Sequence, residues 1–191
     1  RRQRQMCIRD SPILLSMDFH ELLITRRSIR RYTQEPIDAD QVRLILEAGL
    51  LSPTSKSARA WQFVAVEDRQ TLDILSGCKG AGAVSLKTAM LAIVVTVDTT
   101  ATGAWIEDGS VASFAMQLQA SALGLGSCWI QLYGRYGEDG VTPADQFVQE
   151  TLGIPEQFTP LCIITLGHPD EQRKPQDTEK LKWDNVHIGK W

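Results

Sequence analysis

The 191 residues predict a layered fold in which helices flank one central sheet. Three observations carry this. Segments with helical spacing alternate with short apolar segments rich in β-branched residues. Residues 90–97 are apolar on both faces, as a strand covered on both sides must be. No internal repeat or low-complexity linker interrupts the chain, and its length suits one core that needs no disulfide or metal. Alternation by itself points to a doubly wound parallel sheet. However, neither GxGxxG nor GxxxxGK[ST] follows any strand, so a Rossmann or P-loop site lacks support.

Residues 18–27 are expected to form a helix with Phe19, Leu22 and Leu23 on one face. Residues 28–33 should be extended. Asp38 and Gln41 have the spacing of a capping box. They open a helix to residue 51 with Val42, Ile45, Leu46 and Gly49 at helical spacing. A loop of small residues over 52–59 leads to a strand at 62–66 and a helix at 68–76, broken by residues 77–82. After the 90–97 strand, the longest helix spans 106–123 and stops at Gly124. Its Glu107 and Asp108 favour the helix N-terminus electrostatically. A buried strand follows at 127–132. The next helix covers 143–151, with Thr142 as N-cap and Pro143 at the first helical position. The last core strand is 161–166, and the polar residues from 169 onward should run over the surface.

The formal net charge is −3, with 43% hydrophobic and 23% charged residues. That composition excludes a disordered chain and argues against a dedicated nucleic-acid binder. Charge is uneven: residues 1–16 hold Arg1, Arg2, Arg4 and Arg9 against Asp10. They are read as an N-terminal extension or remnant, expected to be disordered, with Met17 as the natural start and 17–191 as the folded domain. The rival reading is a basic arm for nucleic acid or an anionic membrane. Cys7, Cys78, Cys128 and Cys162 form no CxxC pair, and His20, His168 and His187 are far apart, so no zinc pattern exists. Unpaired cysteines in apolar runs fit a reducing compartment. No apolar stretch reaches the roughly 20 residues that span a bilayer. The expected location is the cytoplasm, with no membrane or nucleic-acid partner.

The segment Arg26-Arg27-Ser28-Ile29-Arg30-Arg31-Tyr32 is the most informative for chemistry. On extended backbone Ser28 and Arg30 face the same way. Guanidinium forks beside a hydroxyl suit a planar or phosphorylated anion. The bland alternative is a set of arginines that complement a helix C-terminus.

Arg26-Arg27-Ser28-Ile29-Arg30 resembles the opening motif of the nitroreductase family. Leu51-Ser52-Pro53-Thr54-Ser55 followed by Trp61-Gln62-Phe63 resembles its second motif, and Ile106-Glu107-Asp108-Gly109-Ser110 its central helix. Leu123-Gly124-Leu125-Gly126-Ser127-Cys128-Trp129-Ile130 is similar to the strand beneath the flavin. Leu152-Gly153-Ile154-Pro155, Leu166-Gly167-His168-Pro169 and Val186-His187-Ile188-Gly189-Lys190-Trp191 follow in family order. The resemblance spans about residues 17–191 and implies an α+β fold with a mixed, mainly antiparallel sheet, instead of a doubly wound one. It also implies FMN held without covalent bonds between two subunits that exchange their C-terminal tails, and NADH or NADPH as electron donor.

Carried over by position, Arg26 and Lys182 would meet the phosphate, with Lys180 beside them. Arg27 and Ser28 would hold the phosphate–ribityl and pyrimidine edges, and Arg30 would reach N1 and O2 of the ring. Pro53, Thr54, Ser55, Lys56 and Ser57 would come from the other subunit. The main chain near Trp129, Ile130 and Gln131 would donate to N5. No protein acid, base or nucleophile is needed, because the flavin carries the chemistry. The chain departs from the family where Ser57 replaces the usual Asn, Arg59 a Gln and Ala60 a Pro. Arg59 is read either as a ligand for ring oxygens or an acidic substrate, or as a solvated loop arginine. Trp105 and the stretch from Tyr133 to Tyr136 are candidates for a substrate pocket, with an ordinary turn as the alternative. The implied activity is a ping-pong reduction of a nitroaromatic, quinone or activated alkene. The alternatives are a flavin-binding module, or a reductive dehalogenase or flavin-processing enzyme on the same fold.

Overall fold

β-Branched Ile93, Val94 and Val95 stand at consecutive, fully buried positions of β2 (Leu91–Asp98). A strand buried on both faces must lie inside a sheet covered on both sides. The structure, a computed structural model, describes residues 18–80 and 82–191. The expected N-terminal extension and the start at Met17 lie outside the described residues. β2 pairs on one side with β1 (Trp61–Val66) and on the other with β4 (Phe158–Gly167), and β3 (Gly126–Gln131) pairs with β4. The order β1-β2-β4-β3 is antiparallel throughout. Among the described residues, the parallel component is one isolated bridge, Ser28 to Ser127. Alternation of helices and strands therefore misleads here, and the antiparallel expectation holds.

Helices cover both faces. On one, α2 (Ala39–Leu50) and α4 (Trp105–Ala122) place Ile45, Met116 and Ala120 against Ile93, Val95 and Ile164. On the other, α3 (Arg69–Leu75) and α5 (Ala144–Leu152) place Leu72, Leu75 and Val148 against Ala92, Val94, Ile130 and Ile163. Gly109 brings α4 onto the sheet: a Cβ there would lie 2.6 Å from Leu161 Cδ2.

Local signals misplace several ends. α1 (Phe19–Thr25) stops before Arg26, which adopts extended backbone as its C-cap. Asp38 caps α2 through the Asp40 N–H at 2.8 Å, but Gln41 does not reach back. Its amide donates to the Leu123 carbonyl at 3.4 Å, so the capping box is not formed. Pro143, not Thr142, is the N-cap of α5; the Thr142 hydroxyl is held by Asp139 at 2.5 Å. β4 starts at Phe158, ahead of the expected 161. Pro160 sits beside a register shift, where a residue without N–H is tolerated. Gly124 stops α4 as expected, with φ of 77° and Leu125 N–H returning to the Ala120 carbonyl at 2.9 Å.

Candidate functional site

The arginine-rich segment is fixed by what lies on either side of it. The Ile29 N–H donates to the Ser127 carbonyl at 2.9 Å, which docks residues 28–29 on the outer edge of β3. Gly126 permits the approach, since a Cβ there would come within 2.9 Å of Ile29. Tyr32 is buried, its hydroxyl donating to the Ile29 carbonyl at 2.6 Å and lying 2.8 Å from Thr165 Oγ1. Burial drives its phenol well above the ordinary tyrosine range. It is a structural peg under the arginines rather than an acid.

From the other side comes chain expected merely to run over the surface. Tyr32 bridges Pro169, Asp170 N–H donates to the Arg31 carbonyl at 3.0 Å, and Gln176 N–H to the Ile24 carbonyl at 2.8 Å. The Arg27 guanidinium donates to the Lys174 carbonyl. Residues 169–176 thus lie alongside residues 24–32.

Between them is an open polar cavity of about 240 Å³ lined by Arg26, Arg27, Ser28, Arg30, Arg173 and Gln176. A second, of about 220 Å³, shares Arg26, Arg27 and Arg173 and reaches Gly126 and Glu171. Arg26 also stacks over Phe114 of α4, 5.8 Å from the ring centre. The structure therefore unites Arg26, Arg27, Ser28 and Arg30, as expected from sequence. It adds Arg173, Glu171 and Gln176, for which the sequence offered only proximity to a Pro in a polar tail. Glu171 accepts the Arg30 N–H at 2.6 Å and Arg173 at 2.9 Å. The Arg30 N–H above all holds this carboxyl below its usual range.

Trp129 and Gln131 continue along β3. Because the Ser127 carbonyl points outward to Ile29, period-2 alternation turns the N–H groups of Trp129 and Gln131 outward too. The Ile130 side chain is buried against α5 and its neighbours. Trp129 packs on the α4 side and donates to Gln131 Oε1 at 3.0 Å. Trp105 meets Tyr133 edge-to-face at 4.8 Å. Gly134 has φ of 70°, as a turn requires.

Pro53, Thr54, Ser55, Lys56 and Ser57 are not brought to the arginines within one chain. The Ser55 N–H donates to Asp108 Oδ1 at 2.7 Å, and Asp108 is 5% exposed. Asp108 thus anchors this loop, beyond the purely electrostatic role expected for it. Lys56, Ser57 and Arg59 all have positive φ, 51°, 56° and 47°. Three such residues so close together store of order 1–3 kcal/mol each. Lys180 pairs with Asp177 at 2.7 Å, and Lys182 is exposed; neither lines the cavities. The buried thiols are raised by burial, Cys78 to about 11 and Cys162 to about 12, so neither is a nucleophile near neutrality. Among the described residues no cluster could hold a metal ion, and no helix is long and apolar enough to cross a membrane.

The profile described as "Nitroreductase family" matches residues 23–95 and 79–168. The chain belongs to the nitroreductase family. This family member is 33% identical over 178 residues to a protein of Methanothermobacter thermautotrophicus named "Putative NADH dehydrogenase/NAD(P)H nitroreductase", covering 92% of this chain and 88% of the relative. It resembles the solved structure of an FMN-dependent nitroreductase from Clostridium difficile R20291, with TM-score 0.86, 40% identity, and 89% and 98% of the two chains covered. It also resembles a putative NADH dehydrogenase/NAD(P)H nitroreductase from Parabacteroides distasonis, with TM-score 0.81, 30% identity, and 90% and 98% covered. The four-stranded sheet and its helices are thus the α+β nitroreductase fold.

Proposed function

We propose that this nitroreductase-family chain is an FMN-dependent oxidoreductase that takes a hydride from NADH or NADPH and passes electrons to a small acceptor. The acceptor class is a nitroaromatic, a quinone or an activated alkene, served in turn at one site by a ping-pong sequence. The observation that carries this is the arginine cavity held against the edge of β3. Its donor set fits a flavin mononucleotide. Arg26 and Arg27 offer forks for a phosphate, Ser28 a hydroxyl, and Arg30 a cation placed along the edge strand. The outward N–H groups of Trp129 and Gln131 offer donors to a ring seated beside them.

Bound there, FMN would supply the hydride chemistry itself. The chain's task is placement. Arg30, whose backbone N–H is held by Glu171, would supply a positive charge beside a bound flavin, and such a charge favours the reduced, anionic form. The β3 edge, with its outward Trp129 and Gln131 N–H groups, would orient a bound ring so that donor and acceptor could be served in turn.

One chain provides only part of such a site. The 53–57 loop does not line either arginine cavity of its own chain. Pro53, Thr54, Ser55, Lys56, Ser57, Lys180 and Lys182 complete it from a second copy, as an exchanged homodimer places them. Residues 17–191 act as one FMN-binding domain in the cytoplasm, where the buried cysteines stay reduced.

The test is to purify the protein, record its flavin absorbance, and add NADH or NADPH without oxygen. Bleaching of the flavin absorbance on adding the donor, and its recovery on adding a quinone, support the proposal. A flavin-loaded protein that neither donor bleaches would remove it.

A further inference from the structure

β3 ends in a braced turn. The Arg135 N–H donates to the Leu132 carbonyl at 2.9 Å, and Gly134 has φ of 70°, the positive φ that a type II turn requires at its third residue. That bond uses the Leu132 carbonyl. The Tyr133 carbonyl accepts instead from Gln131 Nε2 at 3.1 Å, while Gln131 Oε1 accepts from the Trp129 indole at 3.0 Å. One carboxamide thus ties the residue two before it to the residue two after it. Trp129 and Gln131 alternate onto the same face of β3. Trp129 packs on the α4 side and is the fixed end of this bridge. At the other end the exposed Tyr133 ring meets Trp105 edge-to-face, with 4.8 Å between centres and 83° between planes. Trp105 opens α4 and packs on the cluster of Ala60, Trp61, Val97 and Ala112. Both rings are therefore held from behind, Trp105 by the core and Tyr133 by the braced turn. β3 runs from Gly126 to Gln131, about 17 Å at strand spacing. An arginine cavity reaches Gly126, so the aromatic pair stands at the opposite end of the same edge.

We infer that Gln131 is a positioning residue that holds Tyr133 and Trp105 as a rigid aromatic wall, and that this wall admits flat aromatic acceptors and turns away bulky ones. This rests on the flavin reading of the β3 edge and narrows its acceptor class to planar rings. An aromatic surface gives a flat ring contact over its face or edge. Neither wall residue can swing aside without breaking the Gln131 bridge or leaving the core, so a bulky acceptor meets a surface that does not yield.

Flavin-loaded full-length protein is reduced with dithionite and mixed, without oxygen, with a naphthoquinone or a di-tert-butyl benzoquinone. Return of the oxidised flavin absorbance is followed. Both acceptors are neutral, and the second carries the bulk. The quantity read is the ratio of the two second-order rate constants. Gln131→Met keeps the volume and supplies neither acceptor nor donor for the bridge. It lowers the ratio about tenfold, the scale of one aromatic contact. The fall lies in the concentration that half-saturates the naphthoquinone reaction, not in its limiting rate. Gln131→Glu, which still accepts from Trp129 but cannot donate to the Tyr133 carbonyl, gives the same fall. Tyr133→Phe keeps the ring and the ratio, whereas Tyr133→Ala loses it. Gln131→Met combined with Trp105→Leu falls no further than Trp105→Leu alone, because both act through one pair. The inference is overturned if Gln131→Met retains the ratio, if both quinones slow equally, or if the two substitutions multiply. Those outcomes leave the flavin reading standing, since reduced flavin still passes electrons to a quinone. A wild-type protein that binds no flavin removes that reading and the wall with it.

Discussion

Gly109 shows how one missing side chain sets the position of a helix. In a helix interior Ala is favoured over Gly by about 1 kcal/mol, so propensity alone recommends Gly109→Ala. The added Cβ would stand 2.6 Å from Leu161 Cδ2 and 3.0 Å from Val97 Cγ2, both on fully buried residues. Overpacking of this kind costs about 1–3 kcal/mol, which outweighs the propensity gain. Gly109→Ala is therefore expected to destabilise the protein by up to about 2 kcal/mol net, read from urea unfolding monitored by circular dichroism; a stabilised variant would refute the packing argument. The arginines teach a related lesson. Their density at 26–31 was plain in the sequence. The identity of their acidic partner was not, because Glu171 lies 141 positions from Arg30 and no local pattern links them.

Among the elements, three helices begin on an aspartate: Asp18, Asp38 and Asp68 cap α1, α2 and α3. Asp68 is the best partnered, accepting from the Thr71 hydroxyl at 2.7 Å and the Thr71 N–H at 2.8 Å. These bonds, the hydroxyl first, hold its carboxyl below the ordinary range. The sign follows from linkage. A folded pKa below the unfolded value gives stability that is complete above the unfolded pKa, about 3.9 for Asp. It fades as pH falls through the lowered folded value. Asp68→Ala should lower the thermal midpoint at pH 7 and lose that deficit progressively below about pH 4, measured by melts across pH. An equal deficit at pH 7 and at the lowest pH that preserves the fold would show that the carboxylate is not the cap. The Asp38 cap was expected because its partner lies two residues on, whereas Asp18 and Asp68 were expected inside their helices and prove to be caps. The capping box at Gln41 and the N-cap at Thr142 were misread for the complementary reason. Leu123 and Asp139 captured those side chains, the first through tertiary packing and the second through a turn.

At the scale of the whole molecule, the end of α2 and the C-terminal tail are among the places where the described residues leave large apolar side chains exposed. Leu50 and Leu51 at the end of α2 are 54% and 83% exposed, and in the tail Trp183, Ile188 and Trp191 are 69%, 95% and 101% exposed. A single chain rarely leaves so much large apolar surface bare unless it serves an interface. Under the exchanged-dimer proposal the tail of one copy covers the other. Sedimentation should find a dimer at low micromolar concentration. Removal of residues 177–191, none of which is buried, should yield a folded protein that is monomeric and binds FMN weakly. A truncated chain that remains a flavin-loaded dimer would contradict tail exchange.

By itself the sequence located most helices and strands, showed that the sheet is buried on both faces, and marked the arginine-rich segment at 26–31. Each of those rests on spacing within a few residues, where backbone geometry alone dictates which side chains share a face. Only the tertiary structure decided the strand order, the register of the strands, the anchoring of the 53–57 loop by Asp108, and the return of Glu171 and Arg173 to the arginines. Those depend on contacts between residues far apart in the chain, whose free energy exists only once the sheet has brought its edges together.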